Sequence, residues 1–200
     1  MKKIILLLVA IMQYSCSPLI SSMYGIQTPK KMSEIDIYDA SSRLGLPTMD
    51  VFFADEDYLK YISNKNNTDS IKQKYIQPLQ VSVYDSTGYL IWHRANCDIK
   101  GFPNLKWAST FATFKHNLPS WAKIDSSINV VEFTNILKPI GNSSKDLFKR
   151  NLGCIVIVGW SNFMGRQNRK FIEEVLKLKN NVGSKYYFIY VNTDNLIQID

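Results

Sequence analysis

Apolar positions along this chain fall into three patterns, and each predicts a different element. Ile4 to Met12 is an unbroken apolar run behind Lys2 and Lys3. It is shorter than the roughly 20 residues a bilayer-spanning helix takes, and a small residue, Ser15, stands before Cys16. That order reads as an export signal over residues 1–15. From Cys16 to Met32 no period survives, with Pro18, Ser21, Ser22, Gly25 and Pro29 as interruptions; this stretch is expected to be a tether. Ser33, with Asp36 three positions on, predicts a capped helix to about Leu44, ended by Gly45 and Pro47. Met49 to Phe53 reads as a short strand. Asp55 caps a helix that carries Tyr58, Leu59 and Ile62 on one side, Asn64 to Ser70 is turn-like, and Ile71 to Tyr75 is a further short helical piece.

Strict alternation follows. Leu79, Val81 and Val83 alternate with Gln80, Ser82 and Tyr84, Asp85 to Gly88 makes a turn, and Tyr89 to His93 returns. This is a β-hairpin. Arg94 to Ser127 loses the period and turns aromatic, with Phe102, Trp107, Phe111, Phe114 and Trp121. Disordered segments avoid such residues, so positions 94–127 are expected to be a packed insertion loop covering an edge or face of the sheet. Val130 to Leu137 reads as a helix, and Ser143 as the cap of another through Arg150. Cys154 to Val158 is continuously apolar, as a strand buried on both faces is. Phe171, Ile172, Val175, Leu176 and Leu178 form a helical stripe, and Tyr186 to Val191 a second apolar strand. Strand, helix and strand at this spacing predict a right-handed parallel unit. The expectation is one α/β domain over 33–200.

Composition supports a packed core: of 200 residues, 46% are hydrophobic and 12% aromatic. Removing Lys2 and Lys3 with the signal lowers the formal charge from +7 to +5. The basic residues are scattered, which argues against nucleic acid as a partner and suits a solvated surface beside anionic lipid. Cys16, Cys97 and Cys154 are the only cysteines and His93 and His116 the only histidines, without a CxxC. No metal site or cofactor is expected.

Two resemblances add to this reading. The first is to bacterial lipoprotein signals, whose cleavage-site cysteine is acylated and becomes the first mature residue. That implies lipidation of Cys16, membrane attachment and a place in the cell envelope, with the outer membrane as the expected site. Gln13 stands where Leu is common, and Tyr14 is bulky; both depart from the usual pattern, and plain secretion or a retained anchor stays open. The GFPNLKW stretch, Gly101 to Trp107, is also similar to envelope lipoproteins of the Bacteroidetes kind, which brings no activity with it.

The second is to thioredoxin-like proteins. Their apolar strand is followed by a tryptophan and then W-C-x-x-C opening a helix. Here Trp160 matches the first tryptophan, Phe163 the second, and Met164-Gly165-Arg166-Gln167 the redox tetrad. Tyr187 to Asp194, YFIYVNTD, looks like the family's next strand. The hairpin after Pro78 looks like the pair that follows the family's cis-proline, but it precedes the strand-helix-strand unit in this chain. The resemblance therefore implies a thioredoxin-like three-layer sandwich with rearranged strand order around a central mixed sheet. It also implies that the redox reaction is lost, because Met164 and Gln167 replace both cysteines and neither supplies a thiolate. In that sheet Cys97 and Cys154 lie at opposite ends, roughly 17–20 Å apart. A bridge allows about 7 Å between Cα atoms, so no disulfide is expected.

The remaining candidates carry less. Cys97 and His93 lie near the former redox position and are the residues for an alternative, thiol- or histidine-dependent enzyme; G-x-S-x-G is absent. A structural hydrogen bond is the ordinary role for His93. Arg166 and Arg169 in the first turn of the last helix suit an anion, or else face water or pair with Asp85, Asp98 or Asp194. Trp107 and Trp121 are the anchors of an aromatic surface for a protein or glycan partner, if they are exposed. The reading is a membrane-anchored binding or scaffolding protein without redox activity, with an enzyme or a structural component of a surface or secretion assembly as the other readings.

Overall fold

The computed structural model describes residues 25–65, 75–96, 106–112, 114, 129–141, 143 and 153–196. Six strands form one mixed sheet: β1 (Val51–Phe53), β2 (Gln80–Tyr84), β3 (Leu90–Ala95), β4 (Lys138–Pro139), β5 (Cys154–Trp160) and β6 (Tyr186–Asn192). Their spatial order is β3-β2-β5-β6-β1-β4. β5, β6 and β1 run parallel, while β2 is antiparallel to β5, β3 to β2, and β4 to β1. Among the described residues, five helices accompany the sheet: α1 (Glu34–Arg43), α2 (Glu56–Lys65), α3 (Trp107–Ala112), α4 (Val130–Ile136) and α5 (Gly165–Val182).

Two apolar layers result from the alternation of side chains across the strands. Val156 and Val158 of β5 and Phe188 of β6 pack with Ile37 of α1 and Phe171 and Val175 of α5. Ile155 and Ile157 of β5 and Ile189 of β6 pack on the other face with Tyr58 and Ile62 of α2 and Phe133 of α4. A sheet covered by helices on both faces requires strands that are apolar at successive positions. The runs CIVIVGW and YYFIYVN satisfy that requirement. The α/β class and the three layers expected from the sequence are therefore present, and the hairpin lies beside β5.

Local chemistry explains several boundaries. Ser33 and Asp36 form a reciprocal capping box at the start of α1. The Asp57 amide donates to Asp55 Oδ1 at 3.0 Å, which caps α2. In the hairpin turn, Asp85 Oδ1 accepts from the amides of Thr87 at 2.9 Å and Tyr89 at 3.0 Å. At the crossing of β2 and β5, a Cβ on Gly159 would stand 2.6 Å from Gln80 Cγ, so only glycine lets the Gln80 side chain lie there.

Five expectations need correction. The sequence predicts a tether as far as Met32, but Gly25 to Met32 is laid against the domain and Met32 is buried. Thr48 to Asp50 is a 3-10 turn, so the first strand begins at Val51. His93 does not end its strand, which continues through Arg94 to Ala95. Within the supposed loop 94–127, Trp107 to Ala112 is helical, because Trp107 and Phe111 at i, i+4 share a buried face. Pro78 is trans, since no cis peptide bond occurs among the described residues. The helical pieces expected over 71–75 and 144–150 lie mainly or wholly outside the described residues.

Lys138 of β4 pairs with Asp55 at the start of α2, tying the sheet edge to that helix. Burial alone would raise the Asp55 carboxyl, but hydrogen bonds from Lys138 and the Asp57 amide hold it below its ordinary value. A carboxyl with a depressed folded pKa contributes stability above its unfolded pKa and loses it as pH falls through the folded one. Lys138→Met should therefore flatten the loss of stability between about pH 5 and pH 2 in acid titrations followed by denaturant unfolding. Its cost at neutral pH should be no more than about 1 kcal/mol, because the Lys138 side chain is 45% exposed.

Candidate functional site

The turn from β5 into α5 lies at the end of the sheet where the three parallel strands finish. Trp160 closes β5, Asn162 to Met164 form a 3-10 turn, and α5 begins at Gly165. The tetrad Met164-Gly165-Arg166-Gln167 thus opens a helix, as expected. Its chemistry is closed off. Met164 and Gln167 are buried, while Arg166 is exposed. Gly165 has φ +51°, and a Cβ there would meet the Gly25 carbonyl oxygen at 1.8 Å. The N-terminal segment therefore crosses directly over the tetrad.

A buried carboxylate holds this turn. Asp194 is 2% exposed. Its Oδ1 accepts from Ser161 Oγ at 2.6 Å and the Phe163 amide at 3.2 Å. Its Oδ2 accepts from the Asn162 amide at 2.8 Å and Asn192 Nδ2 at 2.6 Å. Amides at a helix entrance need acceptors, and charge-assisted bonds to them are strong. The neighbours of Asp194 extend the clamp. The Thr193 amide donates to the Trp160 carbonyl at 2.9 Å, and its hydroxyl lies 3.1 Å from the Pro78 carbonyl. Asn195 exchanges two hydrogen bonds with the Met32 backbone, at 2.8 and 3.1 Å. The Gln27 amide donates to the Phe163 carbonyl at 2.7 Å. The N-terminal strap is held at both ends.

The other candidates separate from this place or lose their proposed role. Arg169 is exposed on the second turn of α5. The Asp194 oxygens are engaged by Ser161, Asn192 and two amides, so the expected pairing with an arginine is not what fixes this carboxylate. Trp107 is 3% exposed and packs 4.5 Å from the Phe171 ring; it belongs to the core and offers no glycan-binding surface. Trp121, His116, Cys97 and Cys16 lie outside the described residues. Cys154 is a free, half-buried thiol. Burial pushes it up, and Asp85 adds to the shift, which is opposite to the depressed value of a nucleophilic cysteine.

His93 is buried on the α2 and α4 side. Its Nδ1 lies 2.8 Å from Ser82 Oγ, and its ring centroid lies 5.4 Å from that of Tyr75, tilted by 46°. Beside Ser82, Tyr58 Oη and Gln80 Nε2 both donate to the Tyr75 carbonyl. The cavity lined by these groups measures ≈ 10 Å³, room for about one water. The buried serine-histidine pair joins β2 to β3. The Asp194 clamp was the part that sequence reasoning missed. Its only signal was the polar run Asn192-Thr193-Asp194-Asn195 immediately after a wholly apolar strand.

Fold and site together define a three-layer α/β protein with a mixed six-stranded sheet and a sealed strand-to-helix turn. No family model, curated protein or solved structure matches the chain.

Asp194→Ala should destabilise the domain by about 2–4 kcal/mol in chemical denaturation, because two amides and a hydroxyl lose a buried acceptor. Gly165→Ala should displace the strap, read as faster proteolysis between Gly25 and Lys31 with the sheet still folded.

Proposed function

We propose that this chain is a lipid-anchored protein of the bacterial envelope whose domain is a rearranged thioredoxin-like sheet without thiol chemistry, acting by binding or scaffolding. The observation that carries the domain reading is the turn at the end of β5. A strand, a tetrad that opens a helix and a following parallel strand occur in the family's order, and the hairpin is antiparallel to β5 on its other side. The rearrangement in the chain is then a matter of which elements come first. The trans Pro78 is a departure from the family and counts against kinship.

The absence of redox function follows from residue identity and from access. Methionine and glutamine stand where the family has cysteines, both are buried, and Gly25 lies over Gly165. The anchoring reading rests on residues 1–16, where a basic start, an apolar run and Ser15-Cys16 occur in sequence. No helix among the described residues is long and apolar enough to span a membrane. Attachment in this proposal runs through Cys16.

Expression of the full chain and of Cys16→Ser tests the proposal. The native chain should fractionate with membranes and carry the added mass of acyl groups, and the variant should be released. Equal fractionation of both would refute anchoring by Cys16. Measurable disulfide reduction of insulin by the native chain would refute the non-redox domain.

A further inference from the structure

We infer that the end of the sheet where β1, β5 and β6 finish is the side turned toward an anionic bilayer, with the start of α5 nearest the headgroups. This rests on the anchoring reading above and goes beyond it by orienting the domain. Two independent features lead there. The first is where the chain leaves the domain. Gly25 is packed against Gly165 and Arg166, and the Gln27 amide is bonded to the Phe163 carbonyl. Nine positions separate Gly25 from Cys16. Even fully extended they reach only about 30 Å, so an acyl chain on Cys16 keeps Gly25 within that distance of the surface.

The second feature is charge. Arg166, Arg169 and Lys170 are exposed at the start of α5, whose first turn has no acidic residue. Arg169 and Lys170 have no acidic partner among the described residues. Acidic groups at the same end stand on other elements: Glu34 and Asp36 are exposed in the first turn of α1, while Asp55, Glu56 and Asp57 at the start of α2 are paired with Lys138, Lys31 at 3.8 Å and Lys60 at 3.6 Å. Glu173 and Glu174 follow on α5, and Glu174 is bonded to Lys177. Beside the exit of the chain at Gly25, the first turns of α5 therefore present basic groups, and such groups are drawn to anionic headgroups within a Debye length, about 8 Å at physiological salt. The far end of the domain also carries lysines, including Lys185. Charge alone does not choose the end; the short attachment does.

The test uses the full, acylated chain in phosphatidylglycerol-containing vesicles that carry a nitroxide-labelled lipid. A fluorescent amino acid is placed at position 170, or at position 185 in the turn beyond the end of α5 at Val182; the helix between 170 and 182 alone spans roughly 18 Å. Fluorescence at 170 should be quenched several-fold more than at 185. Arg169→Glu in each labelled chain, or zwitterionic vesicles, should reduce that contrast. Equal quenching at the two sites, or stronger quenching at 185, would overturn the orientation while leaving the anchor intact. A contrast unchanged by charge reversal and by lipid charge would overturn the role of the anionic surface. A chain that fails to join vesicles, together with Cys16→Ser behaving as the native chain, would overturn the anchoring reading itself.

Discussion

The buried carboxylate of Asp194 is the constraint on which one whole end of the domain depends. It stands just past β6 and accepts hydrogen bonds from the turn that leaves β5. Two parallel strands and the helix between them are thereby joined where the backbone would otherwise leave donors unpaired. Removed from water, a carboxylate costs several kcal/mol unless its lone pairs are used. Here four donors use them. Thr193 adds β5 and Pro78 to the same knot, and Asn195 adds the strap. Four consecutive polar residues thus hold together segments distant in the sequence.

That arrangement decides what the strand-to-helix turn can do. A helix entrance offers free backbone N–H groups that need acceptors. In this chain Met164 is buried at the helix entrance, and Gly25 lies over the next residue, Gly165. The positive φ of Gly165 and the contact of the Gly25 carbonyl belong together: the backbone crosses so closely that any side chain would separate the two segments. The result is a closed structural joint from which the N-terminal chain departs.

Much of the sheet was legible in the sequence, for physical reasons. Ser33 with Asp36 announced α1 because a capping box is a local device. Alternation from Leu79 to Tyr84 announced the hairpin because its register is set by one short turn. The two continuous apolar strands announced coverage on both faces. Long-range choices were illegible. Nothing local tells β1 to stand between β6 and β4, since three apolar residues fit many neighbours. The two-residue β4 is shorter than any period. Trp107 and Phe111 had helical spacing, but prolines and glycines around them masked it. The strap was hidden because backbone hydrogen bonds, which leave no trace in residue type, fasten Gln27 to Phe163. The run from Asn192 to Asn195 was visible as polar, while the groups it binds lie thirty residues or more away in the cases of Ser161 and Met32.

Site-resolved amide hydrogen exchange on the native chain tests the central claim most directly. If the Asp194 carboxylate and the strap seal this end, the amides of Asn162, Phe163 and Gln27 will exchange as slowly as those in the middle of β5. Rapid exchange at all three, with β5 itself protected, would contradict the account.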